Sequence, residues 1–259
     1  MRPAGVSRVL VGLLHPGEMG AAVGAQLRAN GHAVLWASAG RSSATAGRAR
    51  AAGFEDAGSA ADLASRSDVV LSVCPPHAAV EVAGSVSGFA GLYVDANAIA
   101  PATARTIAGL HRRFVDGGIV GPPPSTPGTT RLYLSGPEAA AVAGLFAGSA
   151  VEAEVVSGEP GAASAVKVAY AAWTKGSSAL LLAVRDLARA EGVEETLQRE
   201  WRRSLPDLEA RAERAARSAE RKGWRFAGEM DEIADTFAAA GLPDGFHRAA
   251  AEVYRRFPR

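Results

Sequence analysis

Cysteine is almost missing from this 259-residue sequence, where Cys74 stands alone. One thiol can form neither an internal disulfide nor a cysteine-rich zinc site, so the expectation is a reducing compartment and a soluble, cytoplasmic protein with no metal. Lysine is nearly as scarce. Only Lys167, Lys175 and Lys222 appear among 28 basic residues; arginine serves wherever a surface charge will do, and each lysine draws attention as an amine. Charge of one sign is lacking too. The 28 basic and 27 acidic residues leave a net charge of +1, which gives no electrostatic case for nucleic acid or an anionic membrane. Long apolar runs are absent: the most apolar stretch, 162–187, contains Lys167, Lys175 and Arg185, which excludes a spanning helix of about 18 uncharged residues. The opening residues, Met1 to Gly5, run into a short strand rather than a signal-peptide core. What is left, 48% hydrophobic and 21% charged residues, is globular composition with room for one large domain or two modest ones.

The first half alternates short apolar runs with Ala-rich helical stretches. Strands are expected at Arg8–Leu13, Ala33–Trp36, Asp68–Val73, Leu92–Asp95, Phe114–Gly118 and Leu132–Leu134, with a helix over Gly17–Asn30. Apolar strands separated by crossover helices imply a parallel sheet covered on both faces. The fold class is therefore α/β: a Rossmann-like, doubly wound, mostly parallel sheet over residues 1–157, followed by an all-α domain over 158–259. That second domain opens with one long, mostly buried helix from Ala162 to about Ala190. Pro206 starts a further helix, and Gly241-Leu242-Pro243 stops one helix and starts another. The Arg/Glu run at 199–225 reads as a solvated helix face.

The first strand leads into His15-Pro16-Gly17-Glu18-Met19-Gly20. A strand, tight turn and helix start of this kind brings backbone amides and a helix N-terminus to a dinucleotide pyrophosphate. The first glycine of G-x-G-x-x-G is His15 here, while Gly17 and Gly20 remain. The second strand ends in Trp36-Ala37-Ser38-Ala39-Gly40-Arg41-Ser42-Ser43, without the carboxylate that would hold ribose hydroxyls. Arg41 and its serines suit a 2′-phosphate, which favours NADP(H) over NAD(H). Val73-Cys74-Pro75 closes a later strand at the edge where such sheets bind ligands, and Cys74 reads as a small apolar lining residue.

Further motifs follow in order: Asp95-Ala96-Asn97 through Pro101, Phe114-Val115-Asp116-Gly117-Gly118-Ile119-Val120-Gly121, and Gly158 through Lys167. Over roughly residues 8–190 the chain resembles the β-hydroxyacid dehydrogenase superfamily, which includes 3-hydroxyisobutyrate and 6-phosphogluconate dehydrogenases. The ending, with Glu229-Met230-Asp231-Glu232 and Gly241 through Arg248, resembles a little-characterised branch with a short helical C-terminal domain. The resemblance implies Lys167 as the catalytic lysine. It implies a cofactor contour through Gly12, Leu14, His15, Pro16, Gly17, Glu18, Met19, Ser38, Arg41, Ser42, Val73, Cys74, Pro75 and Asn97. Asn97 would also touch substrate, beside the loop of Gly118, Val120, Gly121 and Pro122. A homodimer with its active site near the subunit boundary is implied as well.

Departures from the family pattern redirect the substrate reading. Val120 replaces a substrate-loop serine, Pro122 a glycine, and Ala171 an asparagine, so two polar groups that would hold a hydroxy acid are gone. Helix geometry puts Lys167, Tyr170, Ala171, Thr174 and Ser178 on one face, with Lys175 about 80° away. Tyr170, Thr174 and Lys175 are the expected replacement shell. The expected activity is NADPH-dependent hydride transfer on a small carbonyl or hydroxy compound, with a desolvated lysine moving the proton. An imine reductase is the chemically close alternative, and an inactive cofactor-binding sensor the distant one.

Overall fold

The computed structural model describes residues 8–156 and 158–257; Met1 to Gly5 and the boundary residue Ser157 lie outside them. The chain runs β1 (Leu10–Leu13), α1 (Glu18–Ala29), β2 (Ala33–Trp36), α2 (Ser43–Ala51), β3 (Glu55–Asp56), α3 (Ala60–Arg66) and β4 (Val69–Ser72). It continues through α4 (Ala79–Gly84), β5 (Leu92–Asp95), α5 (Pro101–Ala108), β6 (Phe114–Val120), β7 (Thr130–Ser135), α6 (Ala139–Leu145) and β8 (Val151–Val155). Four helices close it: α7 (Ala162–Ala190), α8 (Glu194–Ser204), α9 (Leu208–Ala239) and α10 (Gly245–Arg255).

All eight strands form one sheet in the order β3-β2-β1-β4-β5-β6-β7-β8. The first six are parallel; β7 runs antiparallel to β6, and β8 parallel to β7. Two cores explain the apolar strands. One gathers Val11, Leu13, Val94 and Val115, and the other Leu35, Val70, Tyr93 and Phe114. Neighbouring positions of one strand fall in opposite cores because successive side chains point to opposite faces. The parallel block, read from β3 to β6, reverses direction of winding at β1 and β4, and ligands of such sheets bind beyond the strand ends at that point.

Contacts divide the chain into a unit ending at Lys167 and a second starting at Val168. The second unit has its own core, in which Ala171, Ala172, Ala179 and Leu182 of α7 meet Met230 and Ile233 of α9 and Ala251 and Tyr254 of α10. One expectation needs correction here. Helix α7 is not mostly buried: Tyr170, Trp173, Leu180 and Leu187 are exposed. Small residues pack on α9 and α10 while the large ones project from the other side, a division that composition alone does not reveal.

Candidate functional site

The turn after β1 is held by backbone. The Gly17 amide donates to the His15 carbonyl at 2.9 Å, and a side chain at Gly20 would stand 2.3 Å from that same carbonyl oxygen. Glycine at 20 is what lets α1 start so close to the strand end. Around Gly17 there is open space; no side chain caps α1, so its first amides remain free to meet an anion. Gly12 does different work, because a side chain there would strike Leu63 and Ser67 of the α3 region. Leu14 and Pro16 are buried, Glu18 is exposed, and Met19 packs against the core.

Two buried nitrogens at this edge have no hydrogen-bond partner among the described residues: His15 Nδ1 and Arg41 Nε. Burial, and then the nearby Arg41 charge, push the His15 imidazole down to about 4, so it is neutral near pH 7. Arg41 follows a turn in which its amide donates to the Ser38 carbonyl at 3.1 Å. Ser42 caps α2, its Oγ accepting from the Thr45 amide at 3.3 Å. Orphaned nitrogens beside an uncapped helix start fit a phosphate-bearing dinucleotide, since such groups cost stability unless something pairs with them.

Asn97 is buried and ties two strand ends together. Its amide nitrogen donates to Ser72 Oγ at 3.1 Å and Asp95 Oδ2 at 2.8 Å, and its oxygen accepts from the Cys74 amide. Asn97 thus braces β4 against β5 and fixes Val73, Cys74 and Pro75. Burial is the main cause raising the Cys74 thiol to about 11, which leaves it unreactive. Asp95 is pushed up to about 7, first by burial and also by the neighbouring Asp116 carboxylate.

Sequence reasoning missed the group that anchors Lys167. Asp116 lies fully buried on β6, opposite Asp95 on one side and Ser135 on the other. Its carboxylate accepts from the Gly161 amide (2.9 Å), the Ser164 amide (2.9 Å), Ser164 Oγ (2.6 Å) and Ser135 Oγ (3.1 Å). Ser135 Oγ accepts in turn from the Ala163 amide at 3.0 Å. The first turn of α7 is therefore pinned to the sheet by charge-assisted bonds. Two residues along β6, Gly118 makes room for that turn: a Cβ there would lie 2.7 Å from the Ala163 carbonyl oxygen and 3.0 Å from Lys167 Cβ. Lys167 is thus fixed one turn into the helix, against the strand and beyond the end of β5. An acidic residue inside an apolar strand was the one available signal.

The other proposed substrate residues are scattered. Val120 is the buried last residue of β6; Gly121 follows at φ +123°, and the Pro122 carbonyl accepts from Thr130 Oγ1 at 2.7 Å. Tyr170, Ala171, Thr174 and Lys175 belong to the second unit. There Ala171 is core, Thr174 donates to the Tyr170 carbonyl at 2.9 Å, and Lys175 is ion-paired with Glu229 and 5.3 Å from the Phe226 ring centre. No cluster of metal-ligating side chains exists among the described residues, and no helix there is long and apolar enough to cross a membrane.

Residues 10–98 match the family described as NADP oxidoreductase coenzyme F420-dependent, and residues 188–257 match a domain of unknown function, DUF1932. A conserved protein of unknown function, itself structurally similar to 3-hydroxyacid dehydrogenases, superposes with a TM-score of 0.77 at 29% identity over 96% of both chains. The chain has the hydroxyacid-dehydrogenase fold, with an NADP-oxidoreductase-type region over residues 10–98. Mycobacterium tuberculosis 3-hydroxyisobutyrate dehydrogenase shares this fold at 18% identity (TM-score 0.75, 96% of this chain and 94% of that one). So does the Aspergillus terreus reductive aminase in complex with NADPH, cyclohexanone and allyl amine (18%, TM-score 0.61, 96% and 93%). An uncharacterised 28.5 kDa protein of Methanothermus fervidus is 30% identical over 135 residues, 51% of this chain; the alignment spans only about half, 52%, of that relative.

Proposed function

We propose that this oxidoreductase uses NADPH on a small, uncharged carbonyl or imine compound, with Lys167 moving the proton. The observation that carries the reading is the anchoring of Lys167. An amine on the second turn of a helix tied to a buried carboxylate, and packed on Gly118, keeps a fixed place relative to the strand ends. Preference for NADPH rests on Arg41 and on the absence of any carboxylate at the end of β2. A guanidinium there pairs with a 2′-phosphate, which NADH lacks.

NADPH, when bound, supplies a hydride to the carbon of the C=O or C=N group. The Lys167 ammonium gives its proton to the oxygen or nitrogen as negative charge develops there, and the neutral amine takes it back in the reverse direction. Asp116 and Ser135 hold the helix that carries the amine. His15, neutral at working pH, and the first amides of α1 would hold the phosphates. An uncharged substrate is favoured because Val120 offers no hydrogen bond, whereas a carboxylate needs donors to leave water. The same argument favours an imine over a β-keto acid, a reading also in keeping with the fold shared with the reductive aminase. Homodimer assembly belongs with this proposal.

Lys167→Ala should lower kcat by on the order of 10²–10⁴ and leave NADPH affinity unchanged, measured by tryptophan fluorescence titration and by turnover of cyclic imines against β-keto acids. A variant that binds NADPH and keeps full turnover would remove Lys167 from the mechanism.

A further inference from the structure

Two arginines of the sheet unit, Arg66 and Arg113, answer a carboxylate, on Glu55 and Glu138 respectively. Two others, at the nucleotide edge, do not. Neither Arg41 nor Arg48 of α2 has an ion-pair partner among the described residues. No acidic residue stands between Trp36 and Phe54. The two that follow are committed, Glu55 to Arg66 and Asp56 to the Gly58 amide at 2.8 Å. Glu18, on the first turn of α1, is exposed and pairs with neither arginine. Arg48 is nevertheless held in place. Its Nε donates to the Pro16 carbonyl at 3.2 Å and its Nη2 to Thr45 Oγ1 at 3.1 Å, and Thr45 Oγ1 lies 3.1 Å from Ser42 Oγ. One guanidinium thereby joins the turn after β1 to the start of α2, and its Nη1 has no hydrogen-bond partner among the described residues. Burial and then the Arg41 charge lower the His15 imidazole, so Arg41 reaches that same turn.

On the NADPH reading proposed above, we infer that Arg48 is the second arm of a two-arginine clamp on the cofactor's 2′-phosphate, and so a specificity-determining residue. A phosphate monoester carries close to two negative charges near neutral pH, and one guanidinium answers only part of that. Two guanidiniums with no carboxylate beside them are its complement, whereas without an anion they repel each other. The bonds to Pro16 and Thr45 also matter. They order a long side chain before any ligand arrives, which removes part of the entropy cost of gripping one. A solvated surface arginine needs no such ties. The hydrogen-bonded chain from Arg48 through Thr45 to Ser42 leads to Arg41, the next residue, at the end of β2 where such folds hold the adenosine ribose. That places Arg48 with the 2′-phosphate rather than with the pyrophosphate at the start of α1. NADH, with a hydroxyl in that position, gains nothing from a second charge.

Binding alone tests the clamp, without substrate or turnover. Fluorescence titration of the full chain with NADPH and with NADH should show Arg48→Gln weakening NADPH by about 10–100-fold and hardly changing NADH. Arg41→Ala combined with Arg48→Gln should bring the two cofactors to equal affinity. Arg48→Lys keeps the charge but cannot hold Pro16 and Thr45 at once, so it should retain more of the NADPH preference than Arg48→Gln. Adenosine 2′-monophosphate should compete with NADPH on the wild type far better than adenosine does, and lose that advantage in Arg48→Gln. A wild type that binds NADH as tightly as NADPH would overturn the cofactor reading and the clamp with it. A wild type that prefers NADPH, and keeps that preference in Arg48→Gln, would overturn the clamp alone. Equal losses for both cofactors, or Arg48→Lys no better than Arg48→Gln, would reduce Arg48 to a tie between two turns and overturn the clamp as well.

Discussion

Gly118→Ala is the smallest change that tests how Lys167 is placed. One added methyl would lie 2.7 Å from the Ala163 carbonyl oxygen and 3.0 Å from Lys167 Cβ, where ordinary contact begins at 3.4 Å. Neither neighbour is a flexible side-chain end: one is helix backbone, the other the first carbon of the lysine. The helix cannot simply lift away, because the Asp116 carboxylate holds its first turn through bonds of 2.6–2.9 Å. Overpacking of this kind costs about 1–3 kcal/mol. Replacing glycine in a strand returns about 0.5–1 kcal/mol, which leaves a net loss of between about 0 and 2.5 kcal/mol. Displacement of the amine by a fraction of an ångström to 1 Å should cost up to about 10²-fold in kcat. NADPH affinity should hold, since His15 and Arg41 belong to the β1 and β2 ends. Urea melts, NADPH titration and turnover read the three quantities separately. Wild-type stability together with wild-type turnover would show that α7 does not press on β6 as described.

Arg41→Ala should weaken NADPH binding by about 10–100-fold, the worth of one charge-assisted contact, and hardly change NADH binding; equal losses for both would place Arg41 away from the 2′-phosphate. Ser164→Ala removes one hydroxyl bond to a buried carboxylate and should lower stability by about 1.5–3 kcal/mol in urea melts, whereas a neutral result would mean that water or another donor replaces it. Glu232 is held up at about 7, first by burial and then by Glu229 and Asp235. A carboxyl raised in the folded state binds its proton more tightly there, so its penalty is absent below about pH 4.5 and grows as pH rises to about 7. The gap corresponds to on the order of 3 kcal/mol, reduced to about 1–2 kcal/mol because the side chain keeps solvent contact. Glu232→Gln should therefore melt several degrees above wild type at pH 8 and converge with it near pH 5. A gap independent of pH would rule out this origin.

The parallel half of the sheet was legible because its strands are short apolar runs between helices, and β2 and β5 fall on the expected residues. Helix α7 was bounded correctly for a similar reason: it has no proline and a clear period. Strand β8 escaped notice. Its Glu152 and Glu154 are exposed, the composition of an edge strand protected against pairing, and β3 is only two residues long. The antiparallel turn at β7 left no local mark either, since direction is decided by the loop that joins two strands. The site divides the same way. The turn residues and Lys167 follow one another in short motifs. Asp116 depends on Ser135 and Ser164, 19 and 48 residues away, a relation no window of sequence contains. Nor could periodicity alone say which side of α7 faces the core, because both sides are apolar.

The Asp116 junction also determines where this polypeptide can be shortened. Three of the four donors to that carboxylate come from Gly161 and Ser164, after the last strand has ended. A chain cut at residue 157 would retain all eight strands but lose those three donors, leaving the Ser135 hydroxyl to answer the Asp116 carboxylate. Retaining ten more residues would restore the missing donors. The nucleotide-binding half is thus completed by the opening of the helix that leads out of it. During synthesis, the donors from Gly161 and Ser164 reach the Asp116 carboxylate only after the last strand has been made.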